Sequence, residues 1–340
     1  MNKTLFIIPV YNGANRISET LRSVVNQEGD VSFDILVVND GSTDDTREVL
    51  QELKAKDKRI KLINQENGGV SSARNKGVEF AIKNNYKYFT FVDDDDRVSN
   101  FYLKIMLNIA ESTKVDLVSA KIVYSREGLN YTFDNTIDSN VELLDRDEAI
   151  KQLLIDGKIK NNSVAKLYRA KSFRGVRFDE DIHIGEDMLY CFGCLVIAQN
   201  KVAVVDSVVY EYKRRKGSAT ISVSSMKNID GYKAALKIHR ICSDKFPKHV
   251  KFADVKLFTE ALSSAANIYN TRDKRKSVFA QLVKKMCSLC GGVWKNRNAR
   301  CGQRIYAFIC CFFGARLAVN SVRAVNCLRF RSKLKGLPDE

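Results

Sequence analysis

A chain of 340 residues is long enough for two ordinary domains, or for one domain with a helical extension, and for a large buried core. Its 45% apolar and 28% charged content excludes an extensively disordered chain. The net charge of +16 is unevenly placed: residues 271–340 hold 16 Lys and Arg against 3 Asp and Glu, whereas residues 1–270 hold 40 against 37, so the basic character belongs to a tail suited to anionic lipid, nucleic acid or another polyanion.

In chain order, residues 3–10 are apolar almost throughout after Lys3, as expected of a central strand buried on both faces. The turn Tyr11-Asn12-Gly13 leads to a helical pattern with Ile17, Leu21, Val24 and Val25 on one face. A second buried strand, Phe33–Val38, ends in Asn39-Asp40-Gly41-Ser42-Thr43-Asp44-Asp45-Thr46, whose turn formers and caps open a helix to about Lys56. Strand Ile60–Asn64, the turn Asn67-Gly68-Gly69, a helix over 70–84 and a strand over 87–92 complete a βαβ series. This pattern predicts a mostly parallel, doubly wound α/β sheet.

In such a sheet ligands lie beyond the carboxyl ends of the strands. Four polar turns gather there: Pro9-Val10-Tyr11-Asn12, Asn39-Asp40-Gly41-Ser42, Asn67-Gly68-Gly69 and Asp93-Asp94-Asp95-Asp96. Any one of them reads as ordinary turn chemistry. Four at alternating strand ends read as a site, and a nucleotide diphosphate suits what each supplies. Tyr11 offers an aromatic face for a base, and Asp40 an acceptor for a ring or ribose hydrogen. Gly68 and Gly69 allow close backbone approach, and Arg74 offers a fork for a carboxylate or a phosphate. The four carboxylates repel one another unless a positive charge sits on them, and a hard cation such as Mn²⁺ or Mg²⁺ is the natural partner. Neither a G-x-G-x-x-G after the first strand nor a G-x-x-x-x-G-K-[ST] occurs, so dinucleotide and P-loop readings lose their support.

The ordered segments Pro9-Val10-Tyr11-Asn12-Gly13, Val37-Val38-Asn39-Asp40-Gly41-Ser42-Thr43-Asp44, Asn67-Gly68-Gly69-Val70-Ser71-Ser72-Ala73-Arg74-Asn75 and Phe91-Val92-Asp93-Asp94-Asp95-Asp96 resemble the signature of family 2 glycosyltransferases of the GT-A fold. The resemblance covers about 220 residues and implies inverting transfer of a sugar from a nucleotide-sugar, with uridine the family's usual base. It implies that Tyr11 stacks on the base and Asp40 binds it, that Asp93 or Asp94 lies against ribose and diphosphate, and that Asp95, the second acid of the D-x-D pattern, holds the metal. The family usually has a small polar residue where this chain has Asp94.

Further on, the pattern predicts helix 101–112, strand 115–124, a polar hairpin-like region over 125–140, a helix from Asp145 to Ile155, strand 163–168, a helix after Glu186-Asp187 to about Ala198, and strand 201–213. Glu186-Asp187 suits a helix N-terminus, where carboxylates face the macrodipole. Inverting transfer also needs a carboxylate that takes the acceptor hydroxyl's proton. By resemblance to the family's E-D motif, Asp187 is that base and Glu186 supports it. Tyr210-Glu211-Tyr212-Lys213-Arg214-Arg215-Lys216-Gly217-Ser218 looks like the family's Tyr-x-Tyr-basic-x-Arg-x-x-Ser segment, which implies that Arg215 and Ser218 close over the donor phosphates. The domain reading is a catalytic domain over 1–222, with a nucleotide-sugar half at 1–100 and an acceptor half at 101–222, and a helical, basic region over 223–340.

In that last region helices are predicted near 226–246, 250–270 and 277–290, followed by an apolar segment Ile305–Ala315 between Arg304 and Arg316. Such a segment in a basic helix suits a membrane interface; a tail packed on the catalytic domain or joining two subunits as a homo-oligomer is the alternative. Nine cysteines scattered over apolar stretches fit buried thiols in a reducing compartment, and Cys287, Cys290 and Cys301 match no common zinc finger. The first apolar run is too short for a signal peptide, and no stretch reaches the roughly 18 residues of a spanning helix, so the expected place is the cytoplasm or the inner face of the cell membrane.

The expected function is therefore metal-assisted sugar transfer from a nucleotide-sugar to a saccharide or lipid-linked saccharide, in cell-surface polysaccharide synthesis, with no specific nucleic acid as partner. A sugar-phosphate nucleotidyltransferase would share the sheet, but it should carry a glycine-rich loop with Arg and Lys where this chain has Tyr11-Asn12-Gly13-Ala14. A polyanion-binding module using the tail leaves the four rim motifs unexplained.

Overall fold

The computed structural model describes residues 3–126, 131–133, 140–214, 229–269 and 276–334. The chain divides into two compact units, residues 1–153 with 158–222 and residues 154–157 with 223–340.

The first unit opens with the βαβ series: β1 (Thr4–Val10), α1 (Ile17–Val25), β2 (Phe33–Asp40), α2 (Thr46–Lys56), β3 (Ile60–Gln65), α3 (Gly69–Lys83) and β4 (Tyr88–Phe91). Every residue of β1 and β2 is buried, which is why these strands carry the apolar runs Leu5–Val10 and Ile35–Val38. After the acidic turn come β5 (Arg97–Val98), α4 (Tyr102–Thr113), β6 (Leu117–Arg126), β7 (Val141–Leu144), α5 (Arg146–Leu154), β8 (Lys166–Arg169), α6 (Glu186–Ile197) and β9 (Val202–Arg214). Among the described residues they form one nine-stranded sheet ordered β3-β2-β1-β4-β8-β6-β9-β5, with β7 paired to β9. Pairing is parallel from β3 through β4 and between β6 and β9, and antiparallel where β8, β5 and β7 join. The fold is the α/β one expected.

Among the boundaries that differ from the sequence reading, two in this unit have plain physical causes. Strand β2 runs on through Asn39 and Asp40 because these stay in register with Asn64 and Gln65. Their polar side chains bond across the ladder, the Asn39 amide donating to Asn64 Oδ1 at 3.0 Å and the Gln65 amide to Asp40 Oδ1 at 2.8 Å. Strand β8 starts only at Lys166, because Ala165 has φ of 55° and breaks the extended run. Part of the hairpin-like region expected over 125–140 lies outside the described residues.

Beneath the strand ends lies an aromatic wall. Phe89 stacks on Tyr168 at 5.0 Å between centroids, Phe178 on Tyr190 at 3.8 Å, and Phe91 meets Tyr168, Phe178 and Tyr190 edge-on.

The second unit is helical: α7 (Asp230–Lys245), a 3-10 turn Pro247–His249, α8 (Val250–Tyr269), α9 (Lys276–Lys295), α10 (Cys301–Phe313) and α11 (Ala315–Leu334). Val255, Phe258, Leu282, Met286, Val293 and Ala307 lie in its core. Helix α9 outruns the expected stop at 290, since Val293 and Trp294 still pack into that core. Buried Lys256 is satisfied by Asp156 at 2.8 Å and Glu260 at 3.4 Å. Eight described cysteines are free thiols.

Gly77 lies inside α3, where a Cβ would stand 2.3 Å from Ile7 Cγ2 in the fully buried strand β1. Helix propensity favours Gly77→Ala by about 1 kcal/mol, whereas overpacking costs roughly 1–3 kcal/mol. Steric cost is expected to win: denaturant unfolding should show a net loss of up to about 2 kcal/mol, and a stabilised variant would mean that Ile7 repacks freely.

Candidate active site

The rim is built by loops that brace one another. Asn12 has φ of 48°; its N–H donates to Ser42 Oγ at 3.0 Å and its Oδ1 accepts from the Thr43 N–H at 2.8 Å. The Gly13 N–H donates to Thr46 Oγ1 at 2.8 Å. The turns after β1 and β2 are thereby one body, and Tyr11 stands on it 45% exposed, as a platform for a planar ring would. Pro9 is buried within β1 opposite Val38.

Asp40 is buried and organises the third turn. Its Oδ1 accepts from the Gly68 N–H and its Oδ2 from the Gly69 N–H, both at 2.8 Å. It thus satisfies donors at the start of α3 that the helix itself leaves unpaired. Gly69 has φ of 85° with nothing within 4 Å of a would-be Cβ, so the backbone angle requires glycine there.

The four acids after β4 have different partners. Asp96 is fully buried: Oδ2 accepts from the Tyr210 hydroxyl at 2.6 Å and Oδ1 from the Lys213 N–H at 2.9 Å. Tyr210 Oη in turn accepts from the Asp93 N–H at 3.1 Å, so Asp96 and Tyr210 tie the acidic turn to β9. Burial pushes the Asp96 carboxyl well above the usual range, with the charges of Asp93 and Asp95 adding to it. Arg97 does not pair with Asp96; it donates to the buried Glu211 at 2.9 Å. Asp94 pairs with Arg16 at 2.6 Å, and Arg16 also donates to the Tyr11 carbonyl at 2.9 Å. Burial nevertheless pushes Asp94 up to about 7, because desolvation outweighs Arg16. Asp95 is partly exposed on the same turn.

Arg74 joins this turn to the start of α6. Its side chain is 4% exposed, with one terminal nitrogen on Asp93 at 2.9 Å and the other on Asp187 at 2.9 Å and Glu186 at 3.3 Å. The fork expected for a carboxylate or a phosphate is thus engaged by three carboxylates of the chain itself. Its guanidinium lies 5.4 Å from the Phe178 ring centroid, over the aromatic wall. Burial opposes its charge, but the carboxylates more than compensate and hold it protonated. Gly185, with φ of 87°, opens α6 and sets Glu186 and Asp187 in its first turn. Burial, reinforced by Asp187, pushes Glu186 up to about 7, and burial also raises Asp93. Burial lowers the ammonium of Lys166 in β8 below its usual range, with Cys191 and Asp187 opposing.

Of the residues read from sequence, Arg74, Asp93, Glu186 and Asp187 form one cluster, Asp40 with Gly68 and Gly69 another, and Asp94 and Asp95 continue the acidic turn. Arg215 and Ser218 lie outside the described residues. Sequence reasoning missed Arg16, and it gave Tyr210 only as the first residue of the basic segment, without its contacts to Asp96 and Asp93. A lone Arg at a helix start reads as a solvated cation, and the role of Tyr210 follows from the antiparallel register Val98↔Tyr210, which no local pattern encodes.

Among the described residues no group of three or more His, Cys, Asp or Glu is set to hold a metal ion alone. The acidic turn offers hard oxygens in excess negative charge, a donor set that fits a cation using one or two carboxylates and completing its shell with water and phosphate.

The folded-state value of about 7 for Glu186, against 4.5 ordinarily, means that the folded protein binds more protons than the unfolded chain between these values. Its contribution to stability therefore falls as pH rises through that window, by of order 3 kcal/mol. In Glu186→Gln this part of the slope should be lost while that of Asp93, Asp94 and Asp96 remains; unfolding titrations at about pH 5 and pH 7.5 test it, and an unchanged slope would contradict the assignment.

A family model for glycosyl transferase family 2 matches residues 5–176. The chain is 34% identical over 225 residues to glycosyltransferase GlyA of Streptococcus pneumoniae, spanning 64% of this chain and 31% of that protein. It is 26% identical over 234 residues to the minor teichoic acid biosynthesis protein GgaB of Bacillus subtilis, spanning 68% of this chain and 25% of that protein. The chain thus spans about a third or less of either relative. S. aureus TarS 1–349 in complex with UDP-GlcNAc shares the fold, with a TM-score of 0.66 at 17% identity over 98% of this chain and 92% of that one. The resemblance carried by the four rim motifs is borne out: the chain belongs to glycosyl transferase family 2.

Proposed function

We propose that residues 1–222 form an inverting glycosyltransferase domain that moves a sugar from a nucleotide diphosphate, a UDP-sugar in the first instance, to a saccharide or lipid-linked saccharide during surface polysaccharide synthesis. Residues 1–100 hold the donor, residues 101–222 the acceptor, and residues 223–340 are a helical region outside the chemistry. The observation that carries this reading is the clasp of Arg74 on Asp93 and Asp187. It keeps a carboxylate of the donor rim and a candidate base on one guanidinium. The UDP-GlcNAc held by TarS and the teichoic acid role in the name of GgaB support the choice of donor and pathway class.

In this reading Tyr11 stacks on the base. Asp40 has three bonds from Gln65, Gly68 and Gly69, which leaves about one of a carboxylate's four lone-pair sites for a base hydrogen. Gly68 and Gly69 let the backbone approach the donor, beside Pro9 at the first strand end. Asp93 and Asp94 divide the ribose and diphosphate side, and Arg215 and Ser218 close on the phosphates. Family members generally use a divalent metal; Mn²⁺ or Mg²⁺ held by Asp95 would stabilise charge on the departing diphosphate. Asp187 removes the acceptor hydroxyl's proton as that oxygen attacks the anomeric carbon from the face opposite the diphosphate. One C–O bond forms, the bond to the diphosphate oxygen breaks, and the configuration inverts. Glu186 supports Asp187, and Arg74 is a positioning residue.

The test is a screen of nucleotide-sugars for Mn²⁺-dependent binding and slow hydrolysis, followed by transfer assays. Asp95→Ala and Asp187→Ala should each lower transfer by roughly 10²-fold or more without loss of folding. Turnover like that of the unaltered protein would remove the residue from the mechanism. Arg74→Lys keeps the charge but cannot present two forked nitrogens, so kcat should fall at least about tenfold with KM for the donor little changed. A change confined to KM would make Arg74 a donor ligand instead.

A further inference from the structure

Helix α10 is apolar on both of its faces. Ala307 and Cys310 point into the helical core at 0% and 3% exposure. On the outer face Ile305, Phe308 and Phe312, spaced by three and four residues, are 51%, 40% and 58% exposed. Phe313 at 65% and Leu317 at 48% extend the same apolar surface into α11. A helix apolar all round is ordinarily buried, and large rings clustered in water are uncommon on a monomer's surface. These rings do cluster: Phe308 and Phe312 lie 4.6 Å apart between centroids, Trp294 meets them edge-on at 5.7 and 5.8 Å, and Phe313 lies 6.2 Å from Phe308.

Two cations touch this cluster at Trp294, and others are exposed on α9, on the turn after it and at the start of α11. Lys284, Lys295, Arg297, Arg300 and Arg316 are exposed, the Lys295 ammonium is 5.9 Å from the Trp294 ring, and the Arg304 guanidinium donates to the Trp294 carbonyl at 3.0 Å. No acidic residue occurs between Asp273 and Asp339.

We propose that this outer face of α10, with Trp294, Phe313 and Leu317, is a docking surface for an anionic lipid bilayer. The rings enter the headgroup and acyl boundary while Lys295, Arg304 and Arg316 meet the phosphates. Charge selects this occupant: a second copy would bring two basic surfaces together with no carboxylate from this stretch on either. None of the described helices is long and apolar enough to cross a membrane, so the contact is one of lying on the bilayer. The inference stands apart from the transferase reading, since binding needs neither donor nor acceptor.

The test is flotation of the full chain with vesicles of phosphatidylcholine alone and with about one-third phosphatidylglycerol, at low and high salt. Binding should require the anionic lipid and weaken with salt. The variant Phe308→Ser/Phe312→Ser/Phe313→Ser should lose at least about tenfold in partition coefficient, with an unchanged melting transition and unchanged donor hydrolysis. Lys284→Gln/Lys295→Gln/Arg297→Gln should flatten the salt dependence. The proposal is overturned if the chain does not float with anionic vesicles, or if the triple Phe variant floats as the unaltered chain does. It is equally overturned if the rings mediate a concentration-dependent dimer in place of lipid binding, or if only nucleic acid is bound.

Discussion

One buried guanidinium holds the candidate site together. Arg74 comes from α3, Asp93 from the turn after β4, and Glu186 and Asp187 from α6, more than 110 residues along the chain. A charge this deep is costly unless its donors are used, and both of its terminal nitrogens are engaged. Three carboxylates around one cation leave an excess of negative charge. That excess, with burial, raises Asp93 and Glu186 while Arg74 stays protonated. The cluster is therefore geometrically fixed and electrostatically unfinished.

Burial sorts the remaining acids into scaffold and chemistry. Asp40 and Asp96, at 3% and 0% exposure, give most of their oxygen capacity to the chain's own donors, and each fixes a turn that carries other site residues, Asp40 keeping about one lone-pair site besides. Asp93 and Asp187 keep side chains 26% and 24% exposed, so each retains oxygen surface for a ligand. Four consecutive aspartates thus have unequal positions: Asp96 is enclosed, Asp94 is paired with Arg16, Asp93 is clasped by Arg74, and Asp95 lies partly exposed on the turn.

The sequence made the first half of the fold legible because the buried strands β1, β2 and β4 produce largely apolar runs, and these with the half-buried β3 alternate with helices. It made the rim legible because topology alone sends strand ends to one side. What stayed hidden depends on long-range register. The antiparallel insertion of β8 between β4 and β6 and the meeting of Tyr210 with Val98 are decided by pairings some 50 to 110 residues apart. Arg74 was legible as a fork near the rim, but its partners were not, since Glu186 and Asp187 approach it only after α6 packs. Boundary differences have local causes: Ala165 in the left-handed region shortens β8, and the polar pairs Asn39–Asn64 and Asp40–Gln65 lengthen β2.

The sign of the field bears on how a nucleotide-sugar would be held. A diphosphate is an anion, and the four carboxyls of Asp93–Asp96 set a negative rim against it: burial is the main cause that raises Asp93, Asp94 and Asp96, and the charges of neighbouring acids raise each further. Arg74 cannot offset this, because its charge is already shared among three carboxylates, and Arg16 is committed to Asp94. On the proposed reading, donor and divalent cation each remove the charge that opposes the other. Their affinities are then thermodynamically coupled, and by linkage the coupling is reciprocal: the donor strengthens the cation's binding by the same factor as the cation strengthens the donor's. The excess of carboxylate over guanidinium makes the site depend on its ligands arriving together.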